Sequence, residues 1–253
     1  METREVGLLL IGAAALLSAG QAPAAMRATE EFKDGSTRPV SIALLPVQAT
    51  VVKAKVVETE ELIEESTELG ALLGRELDAV MEANGYAVEL ISPERVNADP
   101  QLQEYVIDAN RRHDEMLGQL RLNRVKRRIY NAGDEIRLLA DYLGVDAIAF
   151  SRLRVVAATG GRTAVALLVG IGSIGGTSST LSLVDGDTAD LEALFTSTYA
   201  GASYKAIEEN PEGQMAQVAE STLNRMPPAD ASVRAEEGDD EDVLSDVESL
   251  LNE

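Results

Sequence analysis

DEIRLLADYLGVDAIAFSRLRVV, residues 134–156, joins an amphipathic helix to a buried strand, and its reading decides the fold class. Ile136, Leu139 and Leu143 recur at helical spacing from Asp134, and Gly144 follows as the helix-terminating glycine. VDAIAFSRLRVV (145–156) is apolar enough to read as a buried strand. A helix that runs directly into a buried strand is the repeating unit of an α/β fold, because the helix must lay its apolar stripe on the sheet the strand joins.

The flanking sequence repeats the pattern. SIALLPV (41–47) is a short apolar run closed by Pro46 and reads as a strand. From Glu58 to Asn84, Leu62, Leu69, Leu73, Leu77 and Val80 keep helical spacing before Gly85, and YAVELIS (86–92) is strand-like up to the Ser92-Pro93 break. Helical period returns from Gln101 to Ile129 through Leu102, Val106, Ala109, His113, Met116 and Leu120. Downstream, TSSTLSLVDGDTADLEALFTSTYAG reads as two strands joined at Asp185-Gly186-Asp187, and a last helix runs from Glu212 to Met226 before Pro227-Pro228. The order β-α-β-α-α-β-loop-β-β-α predicts a single α/β sandwich over residues 41–228, a mixed five-stranded sheet with helices packed on it. Its first three strands are parallel and the final hairpin antiparallel.

Composition mostly subtracts chemistry. Among 253 residues, 45% are apolar but only nine are aromatic (Tyr 6, Phe 3, Trp 0), so the core must be aliphatic. A formal charge of -21 argues against nucleic acid as the main partner, since that affinity needs excess Lys and Arg. The absence of cysteine excludes disulfides, thiolate zinc sites and cysteine nucleophiles. With His113 as the single histidine, a multi-histidine metal site is excluded. No cofactor is implied.

The N-terminus, METREVGLLLIGAAALLSAGQAPAA, has a polar start with Arg4, an apolar stretch from Val6 to Ala19 and small residues after it. This is the layout of a secretory signal, residues 1–24, with cleavage before Ala25. Its apolar run is shorter than the ~20 residues a membrane-spanning helix needs. Residues 25–40 are polar and read as a linker. The C-terminal stretch 229–253 is strongly acidic and reads as a solvated, disordered tail, with Val243, Leu244, Val247, Leu250 and Leu251 at helical spacing within it.

Four motifs are candidates for function. Gly170-Ile171-Gly172-Ser173-Ile174-Gly175 fits the dinucleotide pattern, yet TSSTLSLV after it is strand-like, where a pyrophosphate needs a helix N-terminus. The surrounding run 160–176 offers an apolar surface, Ala164, Val165, Leu167, Leu168, Val169, Ile171 and Ile174. It reads either as an edge strand in the core or as a contact with lipid or another subunit. The basic run RRHDEMLGQLRLNRVKRR (111–128) carries Arg121, Arg124, Lys126, Arg127 and Arg128. It suits anionic partners, or is a solvated face paired internally with acidic segments. His113 falls on its helix's apolar face and reads as a partly buried, hydrogen-bonded histidine rather than a catalytic base. Asp185, Asp187 and Asp190 read as turn residues rather than calcium ligands.

The ordered segments SIALLPV, ELGALLGRELDAVMEANGY, LLADYLGVDAIAFSRLRV and LSLVDGDTADLEALF, with a closing helix ending in proline, resemble the TolB amino-terminal-like α/β domain. Curli-export lipoproteins and a group of poorly characterised bacterial envelope lipoproteins share that domain. The resemblance covers about residues 40–228. This chain departs from it at Gln21, where the lipid-bearing cysteine would stand, at Thr188-Ala189 in place of Thr-Gly, and at Phe195 in place of Trp. The resemblance implies no catalysis and supplies no catalytic residue. It implies a role in assembly, secretion or an envelope complex.

The expectation is therefore a non-enzymatic exported protein of a Gram-negative envelope. It would be periplasmic or associated with the outer membrane and act through protein contacts, as an accessory of a secretion or outer-membrane assembly. A nucleotide-binding domain built on Gly170–Gly175, or a membrane-contacting, ring-forming homo-oligomer, is the alternative.

Overall fold

The computed structural model describes residues 22–54, 59–122, 130–158, 176–199 and 204–229. In chain order the elements are β1 (Ala22–Ala28), α1 (Glu30–Asp34), β2 (Ser41–Leu44), β3 (Gln48–Ala54), β4 (Thr59–Glu61), α2 (Ile63–Ala83), β5 (Ala87–Leu90), α3 (Pro93–Ala98), α4 (Pro100–Leu122), α5 (Asp134–Leu143), β6 (Ala147–Ala158), β7 (Gly176–Asp185), β8 (Leu191–Tyr199), α6 (Tyr204–Glu209) and α7 (Pro211–Leu223).

The strand expected at 145–156 is β6, the longest in the sheet, and it organises the rest. Its first half pairs in parallel with β2, Ile42 opposite Ala147, and its second half pairs in parallel with β3, Gln48 opposite Arg152. One lane beside β6 is thus filled by two strands broken at Leu45–Val47, where Pro46 has no N–H to give to a ladder. On its other side β6 pairs antiparallel with β7, β7 with β8, and β8 with β1. Strand order is β1-β8-β7-β6-β2-β5, with β3 also on β6 and β4 on β3.

The α/β class and the mixed sheet hold, as do the parallel β5-β2-β6 trio and the antiparallel hairpin. The strand count does not: eight strands form the sheet, not five. Three of the additions, β1, β3 and β4, are polar or short and lie outside the apolar runs. The supposed linker 25–40 is a second correction. Ala25–Ala28 complete the edge strand β1, and Thr29 caps α1 by accepting from Phe32 N at 3.1 Å. Phe32 is fully buried, edge-on to Phe195 with ring centroids 6.4 Å apart. Ser92-Pro93 also does more than end β5. Ser92 Oγ accepts from Arg95 N, and Pro93 takes the first helical position of α3.

Helices cover both faces. Odd-numbered β6 residues Ala147, Ala149, Leu153 and Val155 face α2, α6 and α7, where Leu73, Leu77, Met81, Ile207, Met215 and Val218 bury with them. Even-numbered Ile148 and Phe150 face α3, α4 and α5, joining Val96, Leu102, Met116, Ile136 and Leu139. Each fully buried side chain of this kind contributes ~1.5–3 kcal/mol. The single-sandwich expectation therefore becomes one sheet between two helical layers, the second of which stops partway along β6.

A polar pin sets the phase of the central strands. Asp146, just before β6, accepts from Val40 N at 2.9 Å, Ser41 N at 2.8 Å and Ser41 Oγ at 2.9 Å. Its backbone oxygen accepts from Gly186 N at 2.7 Å in the hairpin turn. A Cβ on Gly186 would sit 2.8 Å from that oxygen, so the close approach requires glycine. The Ser41 N–H leads the interactions that hold the Asp146 carboxyl below its ordinary 3.8.

Two outcomes follow. Phe32→Ala is expected to lower unfolding free energy by ~3–4 kcal/mol in urea denaturation, as a core residue would and a linker residue would not. Asp146→Ala is expected to cost ~1–2 kcal/mol at neutral pH, the carboxyl being partly solvated. Because its folded pKa is depressed, that stabilisation is present above the unfolded value and lost as pH falls through the folded one. The variant's deficit in the same assay should shrink below about pH 3.8.

Candidate binding groove on the open half of the sheet

Beyond Phe150 the even-numbered side chains of β6 change character to Arg152, Arg154 and Val156. The strand pairings set them in polar rows across the sheet. Gln48, Arg152, Thr180 and Thr196 form one row, and Thr50, Arg154, Ser178 and Thr198 the next. These rows share the face of Ile148 and Phe150 but lie past the helical layer.

The edge of that layer is α4. Asn110 Oδ1 accepts from Gln48 Nε2 of β3 at 2.8 Å, His113 stacks on Phe150 of β6 with centroids 4.2 Å apart and planes 7° apart, and Asp114 pairs with Arg152. Farther on, Met116 and Leu117 bury in the same cluster as Leu194 of β8. The helix therefore walls a groove of about 480 Å³ floored by Gln48, Thr50, Val52, Arg152, Arg154, Ser178 and Thr180.

The groove's electrostatics centre on Arg152. Its side chain is 29% exposed, and burial pulls its pKa down. Its Nε is buried without a hydrogen-bond partner among the described residues. A guanidinium with one carboxylate neighbour and an unused donor suits a planar anion. Arg154, one row on, is exposed.

Buried titratable groups flank this region. His113 is 1% exposed as expected, but neither ring nitrogen has a hydrogen-bond partner among the described residues; stacking replaces the expected bond. Burial first, then the Arg152 charge, push its pKa from 6.5 down to about 3. Glu192 in β8 is 5% exposed, and burial, then the Asp185 charge, raise it from 4.5 to about 7. Neither group is placed for proton transfer to a ligand in the groove. His113 is shut beneath α4, and Glu192 receives a hydrogen bond from the Thr37 side chain.

Of the residues singled out from sequence, Ala164, Val165, Leu167, Leu168, Val169, Ile171 and Ile174, with Arg124, Lys126, Arg127 and Arg128, lie outside the described residues. Arg121 sits in the last described turn of α4. The segment 159–175 leaves β6 after Ala158 and returns at Gly176, at the groove's end of the sheet. β7 begins directly at Gly176, so a strand rather than a helix follows the glycine pattern, against a pyrophosphate site. Part of the basic run is paired internally: Arg111 with Asp108 at 3.0 Å and Arg112 with Glu135 at 2.7 Å. Asp185 serves the turn, its Oδ1 accepting from Asp187 N and Thr188 N. Among the described residues no cluster of three His, Asp or Glu is placed to hold a metal ion, and no helix is long and apolar enough to cross a membrane. Arg152, Arg154, Thr180 and Ser178 were not among the sequence candidates. Their signal is the switch within β6 from AIAF to SRLR, from burial on two faces to burial on one.

No family model matches the sequence, and neither does any curated protein. Among solved structures, a PelC dodecamer from Paraburkholderia phytofirmans is 10% identical with a TM-score of 0.32, over 79% of this chain and 96% of that one. A second PelC dodecamer from the same organism, carrying one substitution, is 9% identical with a TM-score of 0.31, over 80% and 99%. Overlap this loose bears on neither fold family nor function.

The two buried groups have opposite pH dependence. His113, with its folded pKa depressed, contributes stability that is full above 6.5 and lost as pH falls. Glu192, with its folded pKa raised, contributes stability that is full below 4.5 and lost as pH rises toward 7. Between 4.5 and 6.5 the two slopes oppose one another. His113→Phe should therefore lose stability with rising pH across that window and Glu192→Gln gain it, each by ~1 kcal/mol per pH unit or less. Urea denaturation at three pH values reads the slopes.

Proposed function

We propose that the chain is a non-enzymatic exported protein of the bacterial envelope that works by holding a protein partner against the open half of its sheet. The groove between α4 and the β3-β6-β7 rows carries this reading: a concave, polar, locally cationic surface on a strongly acidic chain. The signal-like start supports export, and the resemblance of residues 40–228 to the TolB amino-terminal-like domain supports an assembly or secretion role. Flat polar rows across three strands offer many hydrogen-bond sites to an extended segment, which is recognition by contact rather than by a reactive centre.

Site-specific photo-crosslinking in intact cells tests the reading. A crosslinker at Thr180 is expected to give one discrete protein adduct in the envelope fraction, and one at Ala71, exposed on α2, none. Equal labelling from both positions, or the full-length chain retained in the cytoplasm with Met1 intact, would contradict it.

A further inference from the structure

We infer that the groove has an occupant within the chain: the acidic stretch Asp239-Asp240-Glu241-Asp242 of the C-terminal segment lies across Arg152 and Arg154 and competes with the external partner. This rests on the binding reading above and adds a regulation to it.

Charge complementarity is the first support. Residues 230–253 hold ten acidic residues against Arg234 alone, whereas Arg152 and Arg154 floor the groove. Arg152 keeps an unpartnered Nε, so Asp114 leaves part of its donor capacity unused. No acidic residue separates Glu115 from Asp134, a stretch holding Arg121, Arg124, Lys126, Arg127 and Arg128, and α4 carries the start of that stretch past the groove wall. Glu61 in β4, paired opposite Val52, is the acidic neighbour at the groove's far edge and leaves the Arg154 row cationic.

Reach is the second support. The chain leaves the domain at Ala229, whose N–H donates to Asn84 O at 2.8 Å, while Tyr86 Oη donates to Pro227 O at 2.8 Å. That exit lies at the end of the sheet where β2 and β5 begin. From the level of Ala147 to Arg154 is seven residues of strand, about 23 Å, with two or three strand widths of about 5 Å to cross. Asp239–Asp242 stand ten to thirteen residues past Ala229, a contour of up to about 33 to 45 Å. A tether of this length holds the acidic stretch near the groove at an effective concentration of about millimolar, enough for a weak site to be filled.

The chain has no cysteine, so Ser245→Cys carries a nitroxide without competition. In the full-length ¹⁵N-labelled chain at low ionic strength, the label is expected to broaden the amides of Thr50, Arg154, Ser178 and Thr180 at least threefold more than those of α2. The effect should vanish in 0.5 M NaCl, with Arg154→Gln, and with Asp239, Asp240 and Asp242 all changed to Asn. The last variant alters no described residue, so it keeps the test sound if Arg154→Gln disturbs the sheet. Broadening spread evenly over the surface, or unchanged by these substitutions, overturns the inference. So does broadening that appears only between separately labelled molecules, which assigns the groove to a second copy. If the nitroxide stays remote while the Thr180 crosslink persists, the internal occupant is wrong and the binding reading stands. If both signals are absent, both fail.

Discussion

A twelve-residue strand covered by helices along only part of one face is the constraint on which this molecule depends. β6 pairs with β7 over ten residues and with β2 and then β3 on its other edge. One of its faces is buried to Val155 and beyond, while the other is covered only to Phe150, where α4 crosses. The core needs both helical layers to bury aliphatic side chains in a chain without tryptophan. The groove needs the second layer to stop. α4 meets both demands, stacking His113 on Phe150 and ending the dry region at the Asp114–Arg152 pair.

Buried polar groups are concentrated at the same boundary. His113 sits without hydrogen bonds under the helix, and Arg152 is half-buried beside it. A buried polar group without a partner is costly unless its neutral form is stable there. Imidazole can stay neutral and stack, whereas guanidinium cannot lose its charge. Arg152 consequently takes a carboxylate neighbour and keeps its outer face toward solvent. Glu192 resolves a similar conflict by favouring protonation.

The strongly periodic elements were legible in sequence. α2, α5, α7 and the β7–β8 pair stand where Leu69, Leu73 and Leu77, Ile136 and Leu139, Val218, and the Asp185–Asp187 turn place them. What escaped reading has little periodic apolar content. β1 is an edge strand of mostly small residues, and α1 is anchored by Phe32 alone. β3 has a single fully buried residue, Val51, among polar neighbours. The hairpin turn also hides a strain. Ala189, where the resembled domain has glycine, holds φ of 59° and is the one non-glycine residue at positive φ among the described residues. The groove was missed because Arg152 and Arg154 are neither clustered in sequence nor part of a motif. They become a site only when β3 and β7 bring Gln48, Thr50, Ser178 and Thr180 alongside.

The claim that cover ends at Arg152 is tested most directly by chemical denaturation of four serine substitutions along one face of β6. Ile148→Ser and Phe150→Ser should each cost more than about 3 kcal/mol, and Arg154→Ser and Val156→Ser about 1 kcal/mol or less. Equal costs at all four positions would mean that the outer half is packed as tightly as the inner half, and that the groove described here is closed.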